Sequence, residues 1–384
     1  MRLSKQLRSL DWVLIGAVLM LTCIGLLFIA SASRAQPVGG DPLFYVKRQA
    51  MWAVVSIVAM IVVIFVDYAW ILRLAPWIYA ANLGLLGLVL VIGHSAGGAQ
   101  RWIQIGGYTL QPSEFAKVAM IITFAAFLAG DERSGQSAGP RVARARDLVA
   151  PALYMAVPWF LVFRQPDLGT SLVFGAIFLA MLFVAGANPR LLFGVTGGGL
   201  GAVGLAIFLH YRFGLPIPLR EYQIRRITAF VQPGKDLQLS GYHTHQSQIA
   251  IGSGRWFGKG IMAGSQNQLN FVPQRHTDFI FSVIGEEVGF FGSVLVVGLF
   301  ALILWRAVLI AGRSKDMGGT LLVMGSVAML AFHVFVNIGM ASGIMPVTGL
   351  PLPFVSSGGS NLLANCIAIG LILNVHLHRH KINF

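Results

Sequence analysis

Charge is what this sequence has least of. Only 11% of its 384 residues are Asp, Glu, Lys or Arg, against 56% hydrophobic ones. With a mean hydropathy of +0.74, that balance excludes an ordinary soluble domain. Cysteine is nearly absent: Cys23 and Cys366 each fall inside an apolar run, which excludes a disulfide framework. Acids are half as common as bases, 14 against 28, giving a formal net charge of +14. No repeat of solenoid period is present and no separate soluble domain is read.

What is present is a series of apolar runs near 20 residues, long enough to cross a hydrocarbon core of about 30 Å as helices. Lipid offers backbone groups no partners, so each run must be helical. Ten spans are expected, at 12–32, 50–66, 71–93, 113–130, 148–164, 168–186, 191–211, 279–305, 319–341 and 358–376. The expected fold is therefore an all-α polytopic integral membrane protein. Residues 1–384 form one membrane domain, with one large extracytoplasmic loop at about 212–278 between the seventh and eighth spans. Arg2, Lys5 and Arg8 precede the first run as in a signal peptide, but the later spans favour a retained signal-anchor. They also favour a cytoplasmic N-terminus, and an even span count returns the C-terminus to the same side. Arg133, Arg141, Arg144, Arg146, Arg190, Arg306, Arg313, Lys315, Arg379 and Lys381 then lie inside, as the positive-inside rule asks of short loops.

On this topology 14 cations still lie outside: Arg34, Lys47, Arg48, Arg101, Lys117, Arg164, Arg212, Arg220, Arg225, Arg226, Lys235, Arg255, Lys259 and Arg275. So many cations with few acids on one face imply an anionic ligand or anionic lipid headgroups there, and nucleic acid is a poor partner outside a cell membrane. Three spans begin on that side with anion-friendly chemistry: Gln111-Pro112-Ser113-Glu114, Gln165-Pro166-Asp167 and Ser356-Ser357-Gly358-Gly359-Ser360. Free N–H groups and the positive dipole end of a helix hold phosphate well. Each start alone reads as ordinary capping; three beside the surplus cations favour a phosphate-bearing ligand. Lys117 sits about 7 Å into its span, where a charge usually faces a cavity or a partner. Glu114 at i−3 is the competing reason for it, as is snorkelling to the interface. Of Glu286 and Glu287, also within a span, one can simply bond the helix ends of adjacent spans, and whether the pair is structural or functional stays open.

Two apparent motifs fail. Gly252-Ser253-Gly254-Arg255-Trp256-Phe257-Gly258-Lys259-Gly260 lacks the spacing and the Ser or Thr of a phosphate-binding loop, and is expected instead to approach a headgroup closely. His243, His245, His276 and Asp278 show no zinc-type spacing. His376, His378 and His380 are expected to be solvated in the inner tail.

The remaining signal is Arg275-His276-Thr277-Asp278-Phe279, where a carboxylate stands between a cationic, glycine-rich loop and the start of a long apolar helix. With this run, the segments 97–117, 165–171, 241–292 and 337–360 strongly resemble the SEDS family of polytopic cell-wall proteins, across nearly the whole chain. Gly241-Tyr242-His243, Gln246-Ser247, Gly258-Lys259-Gly260 and the run from Arg275 to Phe281 are more similar to its rod-shape branch than to its divisional branch. Gln274 departs from the family's usual Glu, and Ser357 from a common aromatic.

The resemblance implies a peptidoglycan glycosyltransferase. Its substrate is lipid II, polymerised at the outer face of the bacterial inner membrane. It implies work in the elongation machinery with a class B penicillin-binding protein (a transpeptidase) amid membrane lipids. The family's essential acid maps onto Asp278. The residues suit that chemistry: inversion at an α-linked lipid diphosphate needs one base and a stabilised leaving group. Asp278 would be the base, with Arg101, Lys117 and Lys259 holding diphosphate. Gln111, Gln165, Asp167, His276 and Ser356 complete the expected ligand set. No resident cofactor is implied, and a divalent cation accompanying the diphosphate stays open. Neighbouring cations lower the pKa of Asp278 while burial at the membrane edge raises it, a balance that stays open too. A lipid II flippase and a non-catalytic scaffold remain alternatives. Against transport, no inverted repeat is present and the charges gather on one side, not at the midplane.

Overall fold

The computed structural model describes residues 9–34, 40–96, 99–106, 108–130, 144–214, 216, 226, 230 and 240–379. Of the residues invoked above, Arg2, Lys5, Arg8, Gly97, Gly98, Arg133, Arg141, Arg220, Arg225, Lys235, His380 and Lys381 lie outside the described residues.

The long helices are α1 (Trp12–Ser33), α2 (Phe44–Phe65), α4 (Ala75–Ile92), α5 (Pro112–Ala129), α6 (Val149–Arg164), α7 (Leu168–Val184), α8 (Pro189–Phe213), α11 (Ile280–Ala311), α12 (Met317–Ala341) and α13 (Gly359–Leu377), with the short helices α3 (Tyr68–Arg73), α9 (Ser240–Ser253) and α10 (Ser265–Gln268) between them. Among the described residues, nine helices are long and apolar enough to cross a membrane, and α7, at 17 residues, is a shorter apolar tenth. The expected all-α polytopic fold is thus observed, and each expected span has its helix.

Two boundaries differ from expectation for local reasons. Helix α2 begins at Phe44, six residues earlier than the apolar run: Gln49 donates to the Ser356 carbonyl (3.3 Å) and accepts from Gly358 N (3.0 Å), which holds this polar first turn against α13. The expected third span divides. Asp67 caps α3 by accepting from Ala69 N (2.9 Å), and Pro76 in the first turn of α4 restarts the chain. An unexpected antiparallel sheet, β1 (His94–Ala96), β2 (Ala99–Ile105) and β3 (Tyr108–Leu110), joins α4 to α5. Its backbone bonds let a non-helical segment lie close to the bundle end.

Helices α5, α12 and α13 are the most enclosed, and α8 is almost wholly exposed to whatever surrounds the bundle. Alternate helix ends meet at opposite faces. At one end, Arg306 forks onto Asp11 (2.9 and 2.6 Å), and the Tyr68 hydroxyl donates to Asp316 (2.6 Å). His376 is buried beside Arg379 and so is not the solvated histidine expected, while the Nδ1 atom of the half-buried His378 lies 2.9 Å from the Asn374 carbonyl. The other end gathers β1–β3, the starts of α2, α5, α7, α11 and α13, and the expected site residues.

The glycine-rich run also has a different use. Helix α11 breaks at Gly289 (φ 64), freeing backbone groups inside the bundle. The run supplies their partners: Lys259 N and Gly260 N donate to the carbonyls of Glu286 and Glu287 (both 3.0 Å), while Phe290 N and Phe291 N donate to those of Arg255 (2.9 Å) and Trp256 (3.2 Å). A Cβ on Gly254 or Gly258 would overlap the Gly285 or Glu287 carbonyl. These glycines let backbone meet backbone at membrane depth, where no water can satisfy it.

Candidate active site

Asp278 ends a tight turn: the N–H groups of Thr277, Asp278 and Phe279 all donate to the Gln274 carbonyl (3.1, 3.1 and 3.3 Å). Two residues later α11 starts. On the opposite wall, α12 offers Asn337, whose Nδ2 donates to the carbonyls of Asp278 (2.8 Å) and Leu350 (2.7 Å). One carboxylate oxygen of Asp278 borders Gly349: a Cβ there would stand 3.5 Å from Oδ2 and 3.8 Å from Nη1 of Arg226. That guanidinium is seated by Nη1 donating to the Thr348 carbonyl (3.0 Å). Burial pushes the Asp278 carboxyl up to about 6, with Arg226, a Thr277 hydrogen bond and Arg101 pulling the other way. Desolvation therefore wins the contest the sequence left open.

Arg101, on β2, donates through Nη2 to the Pro166 carbonyl (2.7 Å), with Nη1 3.7 Å from Asp167. Asp167 caps α7 through Thr170 N (3.2 Å) and accepts from Gln111 Nε2 (3.0 Å) and the Ser113 hydroxyl (3.2 Å). Arg101, Gln111 and Asp167 are thus brought together, joining the sheet to two helix starts. His276 packs its ring on Tyr45 (centroids 4.5 Å apart), and burial, then Arg275, lowers its pKa, so it is neutral at pH 7.

The other expected ligands also have protein partners. Gln165 is fully buried and donates to the Leu86 carbonyl of α4 (3.0 Å). The Ser356 hydroxyl donates to the Thr277 carbonyl (2.6 Å) and accepts from Leu352 N (2.8 Å), a buttress behind the Asp278 turn. Lys259 pairs with Glu286 (2.7 Å), and the Glu286 carboxylate also accepts from Gln266 N (2.8 Å) and Asn267 N (3.1 Å). Glu287 accepts from Met262 N (3.0 Å), Asn267 Nδ2 (3.2 Å) and the Ser31 hydroxyl. The two glutamates thus bond the 259–267 segment, including the start of α10, and Ser31 of α1. Lys117, 1% exposed, lies 2.9 Å from Glu114 and 2.8 Å from Nε2 of His333. Glu114 in turn accepts from Asn361 Nδ2 (2.9 Å), which completes a buried network beneath the site.

Sequence reasoning did not single out Arg226, Asn337, His333 or Asn361 for the site. Arg226 was one outer cation among many. The other three are polar residues in apolar spans, the pattern that marks a partner or a function within a bilayer. Among the described residues, no group of three or more His, Cys, Asp or Glu side chains is gathered to hold a metal ion.

A bundle of ten apolar helices, with one carboxylate faced by guanidinium groups at one end, defines a polytopic membrane protein with a polar site at the bundle's edge. The family model described as "cell cycle protein", covering FtsW, RodA and SpoVE, matches residues 11–381. The chain belongs to this SEDS family. It is 37% identical over 383 residues to the probable peptidoglycan glycosyltransferase FtsW of Trichlorobacter lovleyi, covering 98% of this chain and 95% of that one. It is 37% identical to stage V sporulation protein E of Bacillus subtilis (97% and 98% covered). The peptidoglycan glycosyltransferase MrdB of Escherichia coli K12 is 35% identical (95% and 94%). A chain of a peptidoglycan synthase complex that coordinates polymerization and crosslinking aligns with a TM-score of 0.77 at 32% identity, covering 97% and 99%. The rod-shape-determining protein RodA of Thermus thermophilus aligns at 0.70 and 31%, covering 97% and 98%. Relatives with divisional and sporulation names are as similar as MrdB, so similarity alone does not separate the branches.

Proposed function

We propose that this SEDS protein, a peptidoglycan glycosyltransferase, polymerises lipid II into β-1,4 glycan strands at the outer face of the bacterial inner membrane, with Asp278 as general base. One observation carries the reading: a partly buried carboxyl, raised to about 6, faces two arginines held by neighbouring carbonyls. Asp278 takes the proton of the acceptor hydroxyl as its oxygen attacks the anomeric carbon from the side opposite the diphosphate. The bond to the diphosphate breaks, its electrons pass to the leaving oxygen, and the configuration inverts. Arg226 and Arg101 offset the charge arriving there, while Lys117, Glu114 and His333 support the wall from beneath. A base near pKa 6 is mostly ionised at neutral pH yet more basic than an exposed aspartate.

The positive short loops support cytoplasmic termini, and the likeness to a synthase-complex chain supports a class B penicillin-binding protein as partner. Lipid II given to the pure protein, with and without that partner, should yield glycan chains. The rate should rise with pH through about 6, because the protonated carboxyl accepts no proton. Labelled lipid moved across vesicles without polymer would instead mark a flippase, and activity indifferent to every outer-end substitution a scaffold. An elongation role rests on the likeness of residues 241–281 to the rod-shape branch. Depletion is then expected to round the cells, and filamentation would assign the protein to division.

A further inference from the structure

His333 is fully buried in the middle of α12, and the reaction as written gives it no chemical step. Both of its ring nitrogens are nevertheless committed. Nδ1 lies 3.2 Å from the Pro351 carbonyl, which only accepts, so Nδ1 carries the proton. Nε2 lies 2.8 Å from the ammonium of Lys117, which only donates, so Nε2 is bare. A neutral imidazole in one tautomer and one orientation satisfies both neighbours. One turn along the same face of α12 stands Asn337, which bonds the Leu350 and Asp278 carbonyls. The pair staples the segment 348–351 to α12 at two adjacent points. That segment supplies the Thr348 carbonyl that seats Arg226, and Gly349, which borders the Asp278 carboxylate. Pro351 lacks an N–H and Gly349 has a positive φ of 78°, so the segment cannot be held by regular secondary structure and depends on such side-chain anchors.

We propose that His333 is a positioning residue for glycosyl transfer: anchored on Lys117, it fixes the segment that sets Arg226 against Asp278. The proposal rests on the reading of Asp278 as base and adds what keeps that base and its cation in register. The charged and titratable groups around Asp278 are Arg226 and Arg101 across the site, Arg275 and His276 on its own segment, and Asp167, Glu114, Lys117 and His333 on the packed helices. Of these, Arg226 pulls hardest against the burial of Asp278, with Arg101 a lesser pull.

The test uses the full chain with its class B partner and lipid II. His333→Leu removes both contacts, and a misplacement near 1 Å in a reacting pair lowers turnover on the order of 10²-fold. The expected result is a fall in kcat of that size with KM unchanged. The acid limb of the kcat profile should also move above its wild-type position near 6, because a displaced Arg226 no longer offsets burial. His333→Gln, whose amide can accept from Lys117 and donate to Pro351, should restore both the rate and the limb. Wild-type kcat in a folded His333→Leu protein overturns the proposal. So does a loss of kcat with an unmoved limb, which marks packing alone. Should His333→Leu not accumulate, His333→Asn carries the same comparison, since its shorter amide reaches one partner at a time. Asp278→Asn assayed in parallel separates the failures: chains made at the parent rate by that variant remove the base assignment, and with it this proposal. An inactive Asp278→Asn beside a normal His333→Leu removes the positioning role alone.

Discussion

Asp278→Asn is expected to fold, to associate with its class B partner, and to make glycan chains 10²–10⁴-fold more slowly than the parent, the range typical of removing a general base. The substitution changes one atom. The turn on the Gln274 carbonyl and the Asn337 bond to the residue 278 carbonyl use backbone groups, so the seat of the side chain is unchanged. What disappears is the proton acceptor, together with the negative charge facing Arg226 and Arg101. The second loss gives the prediction its shape. With the carboxylate neutralised, the arginines attract a diphosphate at least as strongly as before, so KM for lipid II should hold or fall while kcat collapses. Gel analysis of polymerised lipid II, beside thermal unfolding of the purified variant, measures both quantities. Wild-type chain synthesis by a folded variant would falsify the assignment of the base.

Lys117→Met is expected to act first on stability. Its ammonium is 1% exposed and Glu114 is 4% exposed, so the substitution leaves a buried carboxylate whose remaining partner is the Asn361 amide. Breaking a buried ion pair from one side costs about 3–5 kcal/mol. The unfolding temperature and the yield of folded protein should therefore fall. Glu114→Gln combined with Lys117→Met should recover part of the loss, because the uncompensated charge is then gone. An unchanged unfolding temperature with depressed turnover would return Lys117 to the ligand role that its depth in the span suggests from sequence.

How much of the site was legible from the sequence depended on how far apart its parts lie along the chain. Asp278 stood out in the sequence because of its own neighbourhood: a cationic, glycine-rich loop before it and an apolar helix directly after. The roles of Glu286 and Glu287 were open in the sequence, because their donors come from a loop that the break at Gly289 brings against them. Gln165 bonds the Leu86 carbonyl and Ser356 the Asp278 turn, contacts the sequence did not reveal, since a polar residue at a helix start looks the same whether it faces a ligand or the next helix. The pairing of Lys259 was hidden for a related reason: the cation stands in a loop near Asp278 in the chain, and the break at Gly289 folds that loop against Glu286.

The sequence by itself determined the ten apolar helices, because a bilayer lets an isolated apolar run take hardly any other form. It also led to the expectation that the surplus cations and the acid share one end. Only the tertiary structure decided which cations meet that acid. Arg226 and Arg101, held on the carbonyls of Thr348 and Pro166, act on Asp278 from segments whose separation no local pattern encodes. The tertiary structure also decided that burial outweighs those cations at Asp278, since desolvation depends on everything packed around a group and not on the residues beside it in the chain.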